Sequence, residues 1–319
     1  MYYIGIDIGG TKISVTISDN KFNIIDKIKF LTDTYKEPEE ILDYMVKIIK
    51  EISMNNNINI EQISSIGISC GGPLDSKKGI ILCPPNLPKW NNINVKKYFE
   101  TALSLPTYLL NDANACCVAE WKLGVGKGYK NIIFLTFGTG IGAGLVLDNK
   151  LYLGTDDQAG EIGHIRIDKN GPLAYGKKGS FESYCSGAGI KNLALIELVK
   201  GEIESSRDTL LHNYKKENID TALIFKLANK KDNFCCEIIN KSAYKLGLGL
   251  SILIDILNPD LIIIGSIYTR AEKYFKSIID DVIGEEALPI NRKTCKIVPA
   301  SLGENIGDYA ALITSTGNY

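Results

Sequence analysis

The sequence predicts an α/β protein of two domains. The chain has 319 residues, and at roughly 150 residues per domain this length suggests two of them. Short apolar segments typical of buried strands, such as 2–8 and 132–137, are interspersed with longer segments of helical spacing, such as 37–52. The first strand and the glycine turn after it recur in the middle of the chain, which indicates an internal duplication.

The N-terminal copy of the repeat is a strand at 2–8, a turn at 9–11 and an alternating strand at 13–18. We interpret it as a β-hairpin, which distinguishes it from the strand-to-helix turn of a dinucleotide fold. Glycines at the turn let backbone N–H groups face an anion, and the adjoining threonine and lysine add donors. Asp7 could hold a magnesium ion through water. An ordinary hairpin turn would show the same pattern, so this turn alone leaves both interpretations open.

The second copy lies at 132–150 and carries the turn Gly138-Thr139-Gly140. Both copies end in Asp-Asn-Lys. Two glycine turns on duplicated hairpins, one in each domain, favour two jaws that grip one polyphosphate. We expect the hinge between Glu120 and Lys130. The expected domains are a small N-terminal α/β domain at 1–120, a larger C-terminal α/β domain at 121–304, and a closing helix at about 305–319 that packs back on the first.

The pair Asn111-Asp112 follows a predicted strand at 105–110 and precedes a predicted helix at 113–120. Asparagine and aspartate are good helix N-caps, and the pair by itself favours that role. The alternative is a general base, because a carboxylate here could accept the proton of a hydroxyl group that attacks a γ-phosphorus.

One of the two histidines, His164, lies among glycines near Glu161 and Glu182, whereas His212 falls in a segment typical of an exposed helix. Carboxylates and an imidazole can bind vicinal sugar hydroxyls through several directional hydrogen bonds. The alternatives are a loop histidine without a function and a metal ligand, although a metal site needs further ligands nearby.

Composition and charge exclude several classes of protein. Hydrophobic residues make up 45% and charged residues 23% of the chain, as in ordinary globular proteins. The 36 basic residues nearly balance 37 acidic ones, which counts against nucleic acid as a partner. We see no signal peptide, and no apolar run approaches the roughly 20 residues of a membrane span. Eight cysteines without a CxxC pair suit buried thiols. We therefore expect a cytoplasmic protein with no membrane partner.

Six motifs occur along the chain in a specific order. They are DIGGTK at 7–12, PNLPKW at 85–90, NDANA at 111–115, FGTGIGAG at 137–144, GEIGH at 160–164 and NPDLIIIG at 258–265. Together they resemble the ROK family of bacterial sugar kinases and sugar-responsive repressors, and the resemblance covers essentially the whole chain. It implies two actin-like ATPase (ribonuclease H-like) domains with a cleft between them.

The resemblance also implies a role for each matching position. Asp112 would be the catalytic base, which reverses the preference for a cap. The sugar would be bound by Gly72, Asn86, Asn111, Glu161, His164 and Glu182. ATP and Mg²⁺ would be bound by Asp7, Gly9, Gly10, Thr11, Lys12, Gly138, Thr139, Gly140 and Gly265. Among these, Asp7 would lie near magnesium and Gly265 against adenosine. Domain closure would exclude water and align the hydroxyl group with the γ-phosphorus.

The chain departs from the family at the zinc site. Most members bind a structural zinc with the GEIGH histidine and three cysteines in a CxCGxxGCxE pattern. The three cysteine positions here hold Leu173, Tyr175 and Ser180, none of which is a good zinc ligand. We therefore expect no zinc, a loop held by packing of Tyr175 and Phe181, and a free His164 that contacts the sugar.

Two glycine-rich segments also differ from the family. In the GxGxPG sugar loop, Ser69 replaces the second glycine and Gly71 replaces the proline, which would make the loop more flexible near Gly71. Gly265 is followed by Ser266 where a second glycine is usual, and the serine would crowd or hydrogen-bond the nucleotide. Neither change removes a catalytic group.

The resulting expectation is an ATP- and magnesium-dependent hexose kinase that phosphorylates the 6-hydroxyl of glucose. N-acetylmannosamine, N-acetylglucosamine, mannose and fructose are alternative substrates, and the protein would form a homodimer or homotetramer. A sugar-responsive repressor is disfavoured, because the hairpin begins at Tyr2 and leaves no room before it for a helix-turn-helix. A non-catalytic sugar sensor is a third interpretation, against which Asp112 and both phosphate turns count.

Elemental analysis of the purified protein tests the expected absence of zinc. We expect substoichiometric zinc, because Leu173, Tyr175 and Ser180 offer no thiolate to accompany His164. One zinc per chain would contradict this expectation.

Overall fold

The computed structural model describes residues 1–201 and 203–319. The strands are β1 (Tyr2–Ile8), β2 (Lys12–Asp19), β3 (Ile24–Leu31), β4 (Ile63–Cys70), β5 (Leu74–Asp75), β6 (Ile80–Ile81), β7 (Ile93–Asn94), β8 (Thr107–Asn111), β9 (Ile132–Phe137), β10 (Ile141–Leu147), β11 (Lys150–Leu151), β12 (Leu173–Ala174), β13 (Lys177–Lys178), β14 (Leu261–Ile264) and β15 (Lys296–Pro299). The α-helices are α1 (Pro38–Asn55), α2 (Val95–Leu103), α3 (Asp112–Lys122), α4 (Phe181–Tyr184), α5 (Gly187–Lys200), α6 (Thr221–Ala228), α7 (Asn233–Leu257), α8 (Ile267–Glu286), α9 (Pro289–Thr294) and α10 (Ile306–Thr314).

The first large sheet has the strand order β3-β2-β1-β4-β8. β1 pairs antiparallel with β2, ending at Ile8↔Ile13, which confirms the predicted hairpin. β4 and β8 extend the sheet in parallel. Parallel strands end at the same edge of a sheet, and ligands of open α/β sheets bind outside that edge. The register places Asp7 beside Ser69, and Cys70 beside Asn111, at this edge.

The second large sheet has the strand order β11-β10-β9-β14-β15. β10 and β11 are antiparallel, whereas β9, β14 and β15 run parallel. Both large sheets therefore consist of an antiparallel ribbon followed by parallel strands. The sheet β5-β6-β7 and the hairpin β12-β13 are much smaller.

The chain packs into two compact units. Unit 1 comprises Met1–Lys130, Gly144–Ala159 and Ser301–Tyr319, and unit 2 comprises Asn131–Ala143 and Gly160–Ala300. Each unit is built from more than one segment of the chain. The domain boundary expected at residue 120 stays a prediction.

Helix α1 covers the first sheet through one apolar face. It begins at Pro38, whose fixed φ suits the first helical position and which needs no N–H partner there. Ile41, Met45, Ile48 and Ile52 recur at helical spacing and are buried, as the sequence predicted. They pack with the apolar residues of β1, β2 and β4 into the core of unit 1.

Helix α10 lies against β1 and β4 at a distance that only glycine permits. Gly5 and Gly67 are register partners in these two strands. A Cβ atom on Gly67 would lie 2.1 Å from the carbonyl oxygen of Ala311, and one on Gly5 would lie 2.8 Å from the backbone nitrogen of Leu312. Any larger residue at either position would therefore push the helix away.

Asp308 anchors α10 to the hairpin strands. Its carboxylate is 2% exposed and accepts hydrogen bonds from Ser14 Oγ at 2.6 Å, Thr16 Oγ1 at 3.2 Å and Lys27 Nζ at 2.9 Å. Burial alone would raise the pKa of Asp308, but the hydrogen bonds from Ser14 and Lys27 and the charge of Lys29 hold it below its usual value. No motif in the sequence pointed to this residue.

Glu120, at the start of the predicted hinge, binds the segment at 301–302 where the chain re-enters unit 1. Its side chain is fully buried and accepts hydrogen bonds from the Ser301 backbone at 2.7 Å, the Ser301 hydroxyl at 2.8 Å and the Leu302 backbone at 2.9 Å. A Cβ atom on Gly124 would lie 2.0 Å from Oε2 of Glu120. The glycine leaves room for the carboxylate that joins the end of α3 to residues 301–302.

Residues 222–257 have helical periodicity and form two separate helices, α6 and α7. Lys231 takes a positive φ of 64° between them. Asp232 then starts α7, since its side chain accepts a hydrogen bond from the backbone N–H of Cys235 at 2.9 Å.

Among the residues that the structure describes, no helix is both long and apolar enough to cross a membrane. None of the eight cysteines, all of which the structure describes, forms a disulfide. The prediction that the thiols are buried is correct for Cys70, Cys116, Cys117, Cys185 and Cys235. It is wrong for Cys83, which is exposed.

Substitution of Gly67 by alanine tests the close approach of α10. We expect a loss of about 1–3 kcal/mol or more in the free energy of unfolding, because the new Cβ meets helix backbone that cannot rotate away. Chemical unfolding measures the change. Gly284→Ala in α8 is the control, since its Cβ would meet only the flexible end of Arg292 at 3.3 Å. Equal stability of Gly67→Ala and wild type would contradict the packing.

Candidate active site

The first glycine turn joins β1 to β2 in unit 1. The backbone N–H of Gly9 donates to the carbonyl of Lys12 at 3.1 Å, and Thr32 holds the turn through its hydroxyl, which donates to the carbonyl of Gly9 at 2.7 Å. The side chains of Thr11 and Lys12 are exposed. The Gly9 N–H therefore closes the turn, and the exposed Thr11 and Lys12 side chains are the donors that an anion can reach.

Asn86 packs so closely against Gly10 that no side chain fits at position 10. A Cβ atom there would lie 2.6 Å from Cβ of Asn86. The Asn86 amide in turn lies 3.8 Å from the Cβ position of Gly71, and the Asn111 amide lies 3.2 Å from that of Gly72. Four predicted site residues, from four separate segments of the sequence, thus adjoin one another in unit 1.

Asn111 takes the capping role that the sequence left open for this pair. Asn111 is the N-cap of α3, and its side chain accepts a hydrogen bond from the backbone N–H of Ala113 at 3.0 Å. Asp112 begins the helix with a solvent-accessible side chain. Desolvation by the surrounding protein raises the pKa of Asp112, against the hydrogen bonds from backbone N–H groups. An accessible carboxylate with a raised pKa is suited to accept a proton.

Asp7 lies within electrostatic range of Asp112. Burial, followed by the charges of Asp112 and Asp308, raises the pKa of Asp7 to about 7, while Ser69 and Lys29 act in the opposite direction. Carboxylate oxygens are the ligands that Mg²⁺ prefers, usually with water and substrate phosphates completing the shell. The donor set around Asp7 therefore fits a magnesium ion held through water.

The second glycine turn, in unit 2, adjoins Glu182. The backbone N–H of Gly138 donates to the carbonyl of Gly140 at 3.0 Å, while the side chain of Thr139 is exposed. A Cβ atom on Gly140 would lie 2.6 Å from Oε2 of Glu182, and this oxygen accepts the backbone N–H of Ile141 at 3.0 Å. The second glycine turn and Glu182, which was predicted to bind the sugar, therefore contact each other.

His164 ends a short 3-10 helix that follows the exposed Glu161. The Tyr175 ring stacks on its imidazole, with ring centroids 3.8 Å apart. The Tyr175 hydroxyl donates to Oε2 of Glu182 at 2.7 Å. Partial burial, then Glu182 and then Glu161, raise the pKa of Tyr175. One face of the imidazole is therefore covered by Tyr175, while the expected contact between His164 and the sugar stays a prediction.

The other replaced positions do not make a zinc site. Ser180 is buried and caps α4 by accepting the Ser183 backbone N–H at 3.3 Å, and Leu173 is exposed. Phe181 is 1% exposed, and its ring fills the space where a Cβ atom on Gly249 would be. Tyr175 and Phe181 thus both pack in the loop, as predicted. The described residues contain no group of three His, Cys, Asp or Glu side chains arranged for a metal.

Gly265 follows β14, and its Cβ position lies 3.0 Å from the ring of Phe134. Ser266 has φ +54° and ψ −111°, a conformation that normally belongs to glycine. The serine therefore keeps the backbone that a glycine would take. Its hydroxyl lies 3.5 Å from the Cβ position of Gly138, beside the second turn.

Residues 3–314 match the model of the ROK family. The chain is 29% identical over 309 residues to a glucokinase of Halalkalibacterium halodurans, a match that covers 96% of this chain and 92% of that protein. It is 27% identical to a xylose repressor of Bacillus spizizenii, over 95% of this chain and 74% of the repressor. A ROK family glucokinase from Streptomyces griseus, solved in complex with glucose and AMPPNP, is similar over the full length of both chains, with a TM-score of 0.79 and 27% identity.

Fold and site together define a protein of the actin-like ATPase class, which confirms the predicted fold class. The chain belongs to the ROK family. Relatives named as kinases and as repressors both align with most of its length.

Two residues near the candidate site were not assigned a site role from the sequence. Ser69 was noted only as a replaced glycine, yet it lies beside Asp7 in the ladder between β1 and β4. Tyr175 was predicted to hold its loop by packing, but no contact with a site residue was predicted for it. Parallel pairing of the two predicted strands could have indicated Ser69, but no sequence signal indicates a contact between Tyr175 and Glu182.

Replacement of Asp7 by asparagine tests its raised pKa. Between about pH 4 and pH 7 the folded state binds more protons at Asp7 than the unfolded state, so this group lowers stability as pH rises through that window. At pH 8 we expect Asp7→Asn to be more stable than wild type by about 1–3 kcal/mol, with little difference near pH 4. Urea unfolding at both pH values measures this. A variant less stable than wild type at pH 8 would contradict it.

Proposed function

We propose that the protein is an ATP-dependent sugar kinase that transfers the γ-phosphoryl group to a hexose hydroxyl. The observation that carries the proposal is Asp112, an accessible carboxylate with a raised pKa that lies beside Asn111 and within electrostatic range of Asp7. Relatives named as glucokinases support the choice of reaction.

Asp112 acts as the general base. It accepts the proton of the sugar hydroxyl while the hydroxyl oxygen attacks the γ-phosphorus, and ADP leaves. A carboxylate with a raised pKa is a stronger base than an ordinary aspartate, and the accessible side chain lets a hydroxyl reach it. Asn86 and Asn111 supply amide groups that hydrogen-bond the sugar beside the base.

Three residues of unit 2 are also proposed to bind sugar. Glu161, His164 and Glu182 carry acceptors and an imidazole that suit vicinal hydroxyl groups. Several such hydrogen bonds fix the orientation of the sugar, which contributes to the rate because the attacking oxygen must be in line with the leaving oxygen.

The two glycine turns bind the ATP phosphates. The backbone at Gly9, Gly10, Gly138 and Gly140 can approach phosphate oxygens because no side chain intervenes. The N–H groups of Gly9 and Gly138 close the turns, those of Gly10 and Gly140 serve as donors, and Thr11, Lys12 and Thr139 add exposed donors. Asp7 would hold a magnesium ion through water. The ion would neutralise charge on the phosphates. Gly265 leaves space for adenosine next to Ser266.

Glucose is the proposed substrate, with its 6-hydroxyl as the acceptor. N-acetylmannosamine, N-acetylglucosamine, mannose and fructose remain alternatives. The proposed cellular setting is the cytoplasm, and the proposed assembly is a homodimer or homotetramer.

A second candidate function is sugar sensing without catalysis. The similarity to a xylose repressor over 95% of this chain favours this candidate. A sensor needs the sugar contacts but not the base. The decisive difference is therefore the effect of Asp112 on phosphoryl transfer, not on sugar binding.

A panel assay tests the kinase. We expect ADP release with at least one of glucose, mannose, fructose, N-acetylglucosamine and N-acetylmannosamine, and a loss of about 10²–10⁴-fold in kcat for Asp112→Asn, which removes the base but keeps the shape. Asp33→Asn, an exposed loop carboxylate of unit 1, is the matched control and should retain full activity. Sugar binding without ADP release in wild type would favour the sensor, and full activity of Asp112→Asn would contradict the mechanism.

A further inference from the structure

The hairpin β12-β13 ends in a turn that holds a large aromatic residue in a left-handed conformation. Leu173 pairs with Lys178 and Ala174 with Lys177, so Tyr175 and Gly176 form a two-residue turn. Their φ angles are +51° and +71°, as in a type I′ turn, where Asn-Gly is preferred. A bulky residue at positive φ is an outlier. Such strain persists where other contacts hold the residue in place.

Tyr175 contacts two residues that the proposed function assigns to the sugar. Its ring lies on the His164 imidazole with an angle of 25° between the planes, and its hydroxyl binds Glu182. Stacking fixes the plane of the imidazole but leaves both ring nitrogens at the edge, where they can bind hydroxyl groups. The hairpin also holds the backbone of His164, because Lys177 Nζ donates a hydrogen bond to its carbonyl.

Glu182 is oriented through one of its oxygens. Oε2 accepts hydrogen bonds from the Tyr175 hydroxyl and from the backbone N–H of Ile141. Two donors on one oxygen set the plane of the carboxylate and therefore the direction of Oε1. A carboxylate has about four acceptor sites, so Oε1 retains the capacity to accept a hydrogen bond from a ligand.

We propose that Tyr175 is a positioning residue that sets the relative placement of His164 and Glu182 for sugar binding. The donor set at these positions does not fit zinc, and the tyrosine holds the histidine by stacking where a metal would hold it by coordination. This inference rests on the proposed function, because that function assigns both residues to the sugar.

The stack is directly measurable because the chain has two histidines. In ¹H–¹³C spectra, a His212→Gln background leaves one imidazole signal, that of His164. The ring current of Tyr175 should shift the His164 Hε1 signal upfield, and Tyr175→Ala should move it back downfield. Leu173→Ala, in the same hairpin, is the matched control and should leave it unchanged. An unshifted signal in wild type, or no response to Tyr175→Ala, overturns the proposal whether or not the protein is a kinase.

Calorimetry with glucose, without ATP, tests the effect on binding. Tyr175→Phe keeps the ring but loses the hydrogen bond to Glu182, and it should raise the Kd about tenfold. Tyr175→Ala should raise it further, and Leu173→Ala should not change it. In steady-state assays the tyrosine variants should raise the KM for glucose while kcat, the KM for ATP and the Tm stay close to wild type, whereas a collapsed loop would lower kcat and Tm together.

These outcomes separate the two proposals. Glucose binding by Tyr175→Phe and Tyr175→Ala at wild-type affinity, in an active kinase, overturns the positioning role and leaves the kinase intact. Glucose binding that depends on Tyr175, without any phosphoryl transfer by wild type, supports the positioning role and contradicts the kinase.

Discussion

The close packing of α10 on β1 and β4 is the constraint on which unit 1 depends. Two adjacent glycines, Gly5 and Gly67, let the helix backbone touch the sheet, and no side chain fits between them. The same approach places Gly307 so near Asp7 that a Cβ atom would lie 2.4 Å from Oδ2 of the carboxylate. The next residue, Asp308, accepts hydrogen bonds from Ser14 of β2 and Lys27 of β3. The helix that completes the core therefore also shapes the surroundings of the proposed magnesium carboxylate.

In unit 2, contacts between side chains hold the residues around the second glycine turn in place. Phe181 occupies the gap over Gly249, Ser180 caps a short helix, and Tyr175 joins His164 to Glu182. Each contact is weak compared with a metal–thiolate bond. Their sum depends on close fit, since packing and hydrogen bonds lose most of their energy when the partners move apart.

Local patterns in the sequence predicted much of the fold. The apolar spacing in α1 and the alternation in β2 are set by which face is buried, and both elements begin within one residue of the predicted start. Helix α8 was not predicted, although its buried Tyr268, Phe275 and Ile279 have helical spacing. Gly10, Asn86 and Asn111 come from three separate motifs, and the structure places Gly10 against Asn86 and Asn111 against Gly72. The Tyr175–Glu182 bond was not predictable, because it depends on a turn with an unfavourable residue type.

The composition of unit 1 has a consequence for the order in which the chain acquires its structure during synthesis. Domains usually fold from the N-terminus as they leave the ribosome. Unit 1 includes residues 301–319, which contain α10, and α10 packs against Gly5 and Gly67 of the sheet. Its sheet therefore has an uncovered surface until unit 2 has been made. During that interval this glycine-lined surface is open to chaperones and to pairing with other nascent chains.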